Sequence, residues 1–245
     1  QAAALQASLG AGVTVAHAMR YGADAIAPAI DALMAAGCRR ILVAPLYPQY
    51  CAATTASVVD AVNAHLARLR WQPAIRTMPP YHDDPAYIEA LRRSAEEALG
   101  NLGFVPDVLL ASFHGMPLRT LNLGDPYHCQ CQKTSRLLRE KLGIEKERWL
   151  TTFQSRFGND PWLQPYTDET VLALAKSGVK KLALVAPGFS ADCLETLEEL
   201  NVENRHYFEG NGGEKFAYLP ALNDSPEGVD VIEAVARREL LGWLD

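Results

Sequence analysis

LALVAPGFSADCLETLEELNVE, residues 182–203, contains a strand, a turn and a helix in succession. Leu182–Ala186 is an uninterrupted apolar run, the pattern of a strand covered on both faces of a parallel sheet. Pro187 and Gly188 turn the chain. Asp192–Glu203 then carries Glu195, Glu199 and Glu203 at four-residue steps. In an α-helix each such step rises about 6 Å and drifts modestly around the axis. The carboxylates would form a ladder on roughly one face, leading away from a strand end. Like charges so placed repel by about 0.2–0.5 kcal/mol per pair. Taken alone the ladder reads as a solvated acidic face; a ladder that holds cations or passes protons has the same spacing.

The strand–helix unit repeats in both directions along the chain. Upstream, Val13–Ala16 is expected as a short strand, Asp24–Ala36 as a helix with Asp24 as N-cap and Gly37 just past its end, and Ile41–Leu46 as a buried strand. Thr54–Leu69 is expected as a helix capped by Thr54 or Thr55, Ala74–Met78 as an extended piece, and Pro85–Leu99 as a helix with proline early. A second series follows: strand Val108–Phe113, helix Lys133–Leu142, strand Trp149–Phe153 and helix Thr167–Lys176. Beyond the ladder lie strand Phe216–Leu219 and a terminal helix Pro226–Leu241. Strands alternating with helices imply right-handed crossovers and parallel sheets. The expected fold class is α/β, with two Rossmann-like domains whose parallel sheets are flanked by helices. Residues 1–85 would form the remainder of the first domain, 86–225 the second, and 226–245 a C-terminal helix packing back on the first.

The totals narrow the function classes. A chain of 245 residues, 49% hydrophobic and 21% charged, has the composition of a soluble globular protein with a sizeable core. The formal net charge of -6 and the lack of any Lys/Arg block speak against nucleic acid as a partner. No apolar run approaches membrane-spanning length. The N-terminus, QAAALQASLG, has neither a basic region nor an apolar core of the signal-peptide kind, and it opens in mid-pattern, as a chain lacking an N-terminal piece would. The five cysteines, Cys38, Cys51, Cys129, Cys131 and Cys193, are odd in number and widely spaced, which suits a reducing cytoplasm better than a disulfide framework.

In doubly wound sheets ligands bind outside the carboxyl ends of the strands. Those positions carry Arg20 and Tyr21; Tyr47, Gln49 and Tyr50; His114, Gly115 and Met116; Gln154, Ser155 and Arg156, with Trp162 beyond; and Ser190, Asp192 and Glu195. The set is rich in aromatics and holds no phosphate-binding loop. Gly210-Asn-Gly-Gly213 lacks a strand–GxGxxG–helix context and reads as a surface turn. The aromatics favour a flat apolar ligand. Gly115 and Pro117 turn the chain at once and expose the His114 imidazole at a sheet edge. A histidine after a strand can be a structural hydrogen-bonder; paired with Glu195 in another strand-end loop, it could equally take protons or ligate a borderline divalent metal.

Several segments together resemble the ferrochelatases: SFHGMP (112–117), GDPYHCQCQKT (124–134), FQSRFG (153–158), PWLQPYTDE (161–169) and PGFSADCLETLEEL (187–200), with AMRYG (18–22) and LYPQYCAATTAS (46–57) upstream. The match is colinear and spans essentially the whole chain. It implies insertion of Fe(II) into protoporphyrin IX, the last step of haem synthesis, in a cleft between two Rossmann-like domains. It implies that His114 is the active-site histidine and Glu195 the paired carboxylate, both also candidate metal ligands. Glu199 and Glu203 would continue an acidic path for protons or metal. Arg20, Tyr21, Trp162, Met116 and Ser112 would contact the porphyrin. Metallation must remove both inner N–H protons and strip water from Fe(II). A neutral His can accept such a proton, and Glu195, its pKa raised by burial and by Glu199, could relay it.

The implied partners are protoporphyrin IX and ferrous iron, the iron being substrate; no nucleotide cofactor is expected. The implied protein is a monomer in the cytoplasm, with room for peripheral membrane contact. Some members of the family carry a [2Fe–2S] cluster through cysteines near the C-terminus, but this C-terminus (VARRELLGWLD) has none, and Cys129 and Cys131 would diverge on a helix, so no cluster is expected. Coproporphyrin III or another tetrapyrrole as substrate, a tetrapyrrole carrier, and a nucleotide-binding Rossmann protein remain as alternatives. The intact His114–Glu195 pair weighs against the carrier, and the missing glycine fingerprint against the nucleotide.

Overall fold

The computed structural model describes residues 1–244. In chain order the elements are α1 (Ala2–Leu9), α2 (Ile26–Ala35), β1 (Arg40–Val43), a π-helical turn (Ala52–Ala56), α3 (Ser57–Leu66), β2 (Ala74–Thr77), α4 (Pro85–Gly100) and β3 (Val108–His114). They continue as α5 (Leu118–Asn122), α6 (Tyr127–Leu142), β4 (Trp149–Gln154), α7 (Thr167–Lys176), β5 (Lys181–Val185), a π-helix (Glu195–Glu203), α8 (Asn204–Glu209), β6 (Lys215–Leu219) and α9 (Pro226–Glu239). The chain divides into two compact units, Gln1–Tyr81 together with the segment from Asp224, and His82–Asn223.

In the first unit β1 and β2 pair in parallel, with Ile41 opposite Ile75. Ile30 of α2, Ile41 of β1, and Val62 and Leu66 of α3 form its core. The terminal helix α9 belongs here. Arg237 donates to the carbonyl of Ser8 in α1 at 3.4 Å, and Ser8 in turn bonds the Glu233 carboxylate. Arg76 of β2 donates to the carbonyl of Glu239 (2.5 Å), one of the acceptors that a helix end leaves without partners, and to that of Leu241 (2.9 Å) just beyond the helix.

Four expectations for this unit give way. Val13–Ala16 forms no strand, because the Gln6 carboxamide takes its backbone groups: Nε2 donates to the Val13 carbonyl at 2.9 Å and Oε1 accepts from the Val15 N–H at 2.8 Å. Asp24 does not cap α2; Ala25 is the N-cap and makes no side-chain bond. The helix after β1 is capped by Cys51 rather than by Thr54 or Thr55. Thr54 instead returns its hydroxyl oxygen to the Cys51 N–H (3.2 Å), completing a capping box at the mouth of the π-turn. β1 itself ends at Val43, short of Leu46, as Pro45 offers no N–H to extend the ladder.

The second unit is built on a four-stranded, all-parallel sheet in the order β4-β3-β5-β6. One face packs Leu110, Leu182, Leu184 and Phe216 against Val171 and Ala175 of α7, Phe208 of α8 and Leu200 of the π-helix. Leu200 is fully buried, and burial of that kind stabilises by about 1.5–3 kcal/mol per side chain. Leu109, Ala111 and Phe113, on the opposite face of β3, are buried too, which is why that strand reads as an unbroken apolar run. α6 starts at Tyr127, six residues before the expected Lys133, where Asp125 accepts the Tyr127 N–H at 3.0 Å. Cys129 and Cys131 therefore lie inside the helix, the first exposed and the second buried. Among the described residues no helix is long and apolar enough to cross a membrane.

Candidate functional site

Strand order reverses direction around β3, so the carboxyl ends of β3 and β5 flank the topological switch point of the second unit. His114 is the last residue of β3. The next residue must pass against the neighbouring strand end: the Gly115 N–H donates to the Gln154 carbonyl at 2.6 Å. A Cβ on Gly115 would stand 2.6 Å from that carbonyl oxygen and 3.1 Å from Trp162 Cε3. Gly115→Ala therefore forces β3 and β4 apart at the site. It should lower stability by about 1–3 kcal/mol, read as a drop in melting temperature. Beyond the turn, Met116 accepts from the Leu163 N–H at 2.9 Å, and Pro117 bridges Trp162.

The His114 ring is oriented by its own loop. Nδ1 lies 2.7 Å from the Gly115 carbonyl oxygen. A carbonyl can only accept, so Nδ1 carries the proton and the neutral ring keeps its basic lone pair on Nε2. Tyr127 donates its hydroxyl to the His114 carbonyl at 2.9 Å, tying the strand end to α6.

Glu195 opens the π-helix. The loop before it is anchored through Asp192, whose carboxylate accepts from Tyr218 (2.7 Å), Asn223 (2.7 Å) and Thr196 (3.0 Å). Burial and this carboxylate push the Tyr218 phenol up from its ordinary value. Glu195 itself sits below the usual carboxylate range. The Cys193 thiol beside it is the main cause, a backbone N–H adds to it, burial opposes, and the charge of His114 helps. The expected upward shift by burial and Glu199 is thus corrected: donors to the carboxylate outweigh its partial desolvation. The same contact, added to burial, raises the Cys193 thiol to about 11. His114 and Glu195 thus share one electrostatic neighbourhood.

The ladder stands on a π-helix and not on the α-helix its spacing suggested. Bonds from i to i+5 give about 4.4 residues per turn, so each four-residue step lags by about 30° where an α-helix would lead by about 40°. The wider turn leaves carbonyls for other donors. Gln154 Nε2 reaches the Glu195 carbonyl and Asn204 Nδ2 the Glu199 carbonyl, each at 2.7 Å. Ser155 donates its N–H to Glu199 Oε1 at 2.7 Å and its hydroxyl to Oε2 at 2.5 Å. Glu195, Glu199 and Glu203, joined by Glu198, line a cavity of about 460 Å³ with Gln154 and Ser155. A wall so rich in carboxylates suits cations and not a flat apolar ring. Arg156, also on this wall, is paired there with Asp168 at 2.8 Å and with Glu169 at 3.1 Å. Among the described residues no group of three or more His, Cys, Asp or Glu side chains is gathered to hold a metal ion. A metal meeting His114 and Glu195 would draw its remaining ligands from water or from substrate.

The porphyrin-contact candidates separate. Ser112 is fully buried, with its hydroxyl 2.8 Å from both Gln154 Oε1 and Thr167 Oγ1. It therefore holds Gln154 and presents nothing to a ligand. Trp162 is only 5% exposed and donates Nε1 to the Phe157 carbonyl at 3.0 Å. The aromatic surface at this edge is instead Phe157, 74% exposed and tilted against Trp162, with ring centroids 4.8 Å apart. Met116 is half-buried. In the first unit Arg20 donates Nε to the Ser57 hydroxyl (2.7 Å) and carbonyl (3.0 Å), and its guanidinium lies 4.6 Å from the centroid of the exposed Tyr21 ring. Phe157 and Cys193 are contributors to which sequence reasoning gave no role. Strand-end position signalled Gln154, but its amide reaching a π-helical carbonyl leaves no mark in the sequence.

The ferrochelatase family model matches residues 1–240. A ferrochelatase of Rhizobium meliloti (strain 1021) is 60% identical over 232 residues, 95% of this chain and 68% of that protein. One from Bradyrhizobium diazoefficiens is 56% identical over 232 residues, 95% of this chain and 67% of its own length. Among solved structures, SirB from Bacillus subtilis with Fe3+ superposes with a TM-score of 0.68 over 100% of this chain and 91% of that one, at 15% identity. The sirohydrochlorin chelatase SirB from Bacillus subtilis subspecies spizizenii in complex with cobalt gives 0.63 over 97% and 86%, at 14% identity. At such identity these two show the α/β chelatase fold alone. With a family model covering nearly every residue and relatives near 60% identity, the chain belongs to the ferrochelatase family.

Proposed function

We propose that the chain inserts Fe(II) into protoporphyrin IX, with release of both inner N–H protons. The observation that carries this reading is the oriented His114 ring, with Nδ1 committed to the Gly115 carbonyl and Nε2 free, beside a carboxylate held below its ordinary pKa. Nε2 accepts one pyrrolic proton, the imidazolium so formed is stabilised by Glu195 and gives its proton up to water, and the restored Nε2 accepts the second. The cavity along the ladder supplies the cation path, with Glu199 and Glu203 as its outer stations. Phe157, Met116, Tyr21 and the Arg20 guanidinium are the proposed contacts for the macrocycle and its anionic substituents. None of the five cysteines is in a disulfide, which is consistent with work in a reducing cytoplasm.

The test is an absorbance assay with Fe(II) and, in parallel, protoporphyrin IX and coproporphyrin III. Metal insertion collapses the free-base visible band pattern to the simpler pattern of the metallated ring, whereas binding alone shifts the bands without collapse. Insertion only with coproporphyrin would move the assignment to the alternative substrate. Bands that shift without collapsing on either ring would return the chain to the carriers.

Cys193 supplies a pH prediction. Its thiol is the first cause of the lowered Glu195 pKa, so Cys193→Ala lets Glu195 take up its proton at higher pH. The acid limb of the insertion rate should then move to higher pH, and Cys193→Ser, which keeps a donor, should move it back. The same contact stabilises the fold above the ordinary carboxylate range and is lost as pH falls through the lowered value. Wild type and Cys193→Ala should therefore converge in melting temperature in acid.

A further inference from the structure

We infer that Ser155 is a positioning residue that aims the Glu199 carboxylate into the cation path; the inference rests on the insertion reaction proposed above. Ser155 directly follows β4 and has φ 62°, a left-handed conformation that side chains other than glycine rarely adopt. Strain of this kind persists only where the surroundings enforce it, and it gathers at functional sites. Here the left-handed turn brings the N–H and the hydroxyl of one residue to the same carboxylate, one donor on each oxygen.

The preceding residue works on the same helix, since Gln154 Nε2 holds the Glu195 carbonyl at 2.7 Å. Adjacent residues at the β4 exit thus grip successive rungs of the ladder, one through backbone and one through side chain. Glutamate on a solvated helix loses much side-chain freedom when it is held to a single orientation. Ser155 imposes that orientation before any cation arrives. It does so with neutral donors. An arginine would orient the carboxylate equally well but cancel its charge, and the nearby Arg156 is paired with Asp168 and Glu169. Each Glu199 oxygen keeps a lone pair beyond the bond it accepts from Ser155, so the clamp leaves the carboxylate able to hold a hydrated divalent ion.

Two substitutions separate aiming from strain. Ser155→Ala removes the hydroxyl and keeps the strain; Ser155→Gly removes the hydroxyl and relieves it. Insertion kinetics are measured on the full chain with Fe(II) and protoporphyrin IX varied in turn, alongside thermal melting. Both variants should raise the KM for Fe(II) about tenfold, with kcat and the porphyrin KM within about twofold of wild type. Their melting temperatures should differ, with the glycine variant the higher. An Ala variant that is impaired while the Gly variant inserts normally, or two variants with wild-type KM, would overturn the role of Ser155 and leave the reaction standing. A wild-type chain that inserts no metal would overturn the reaction and this role with it.

Discussion

His114→Ala should lower the insertion rate by about 10²–10⁴-fold, the usual contribution of a positioned general base. The chain's stability should hardly change. The side chain is only half-buried, and its hydrogen bond goes to the carbonyl of the adjacent residue, so its loss opens no cavity in the core. What disappears is a lone pair aimed by the Nδ1–Gly115 contact, together with the cation that Glu195 would stabilise. The measurement is the absorbance assay at saturating Fe(II), with a melting curve to show that the variant is folded. Free imidazole added to His114→Gly should restore part of the rate, because a base supplied from solution replaces the missing group. A folded His114→Ala variant inserting at the wild-type rate would remove the histidine from the proton transfer.

Glu195→Gln should be nearly as damaging, with a loss of about 10²–10³-fold, the scale on which removal of one preorganised electrostatic partner is felt. The amide keeps the size of the side chain and its contact with Cys193, but it neither balances an imidazolium at His114 nor attracts Fe(II). The effect should fade along the ladder. Glu203 is exposed at the far end of the π-helix, and Glu203→Gln should slow insertion by no more than about threefold, chiefly through the encounter with the cation, with a dependence on ionic strength. Rates for Glu195→Gln, Glu199→Gln and Glu203→Gln measured side by side decide the matter. Equal, mild losses at all three positions would make the ladder an ordinary solvated face.

These effects share a geometric origin. His114 lies on β3, Glu195 follows β5, and Gln154 and Ser155 leave β4, so three parallel strand ends converge on one electrostatic neighbourhood. The Asp192 network with Tyr218 and Asn223 holds the loop after β5 to the end of β6, which fixes where the π-helix begins. Substitutions at Asp192 would therefore act on Glu195 through the loop.

The strands and most helices of the second unit were legible because local information suffices for them. Continuous apolar runs such as Val108–Phe113 and Leu182–Ala186 can be satisfied only inside a sheet covered on both faces, and the helix Thr167–Lys176 has the residue range its pattern gives. From that alternation the parallel sheet follows, and from the sheet the choice of strand ends as the place to look. The residue types His114, Glu195, Glu199 and Glu203 were likewise named by the sequence, through position and through resemblance.

What the sequence left open depended on side-chain hydrogen bonds that local pattern does not encode. Whether Val13–Ala16 joins a sheet turned on Gln6, whose carboxamide takes the bonds a neighbouring strand would need. Whether the ladder is α or π turned on where its carbonyls find donors, and Gln154 and Asn204 supply them. Ser112 shares both its motif and, two residues away, its face of β3 with His114; what separates them is depth, since Ser112 lies inside the strand bonded to Gln154 and Thr167 while His114 ends it. The direction of the Glu195 shift was decided by the thiol two residues earlier, brought beside it by the turn into the π-helix. Local pattern determined the strands, the crossovers and the chemical types at the strand ends. Tertiary structure decided which of those groups are aimed, which are spent on holding others, and how the carboxylates are spaced, because each of these depends on hydrogen bonds between residues that only the fold brings together.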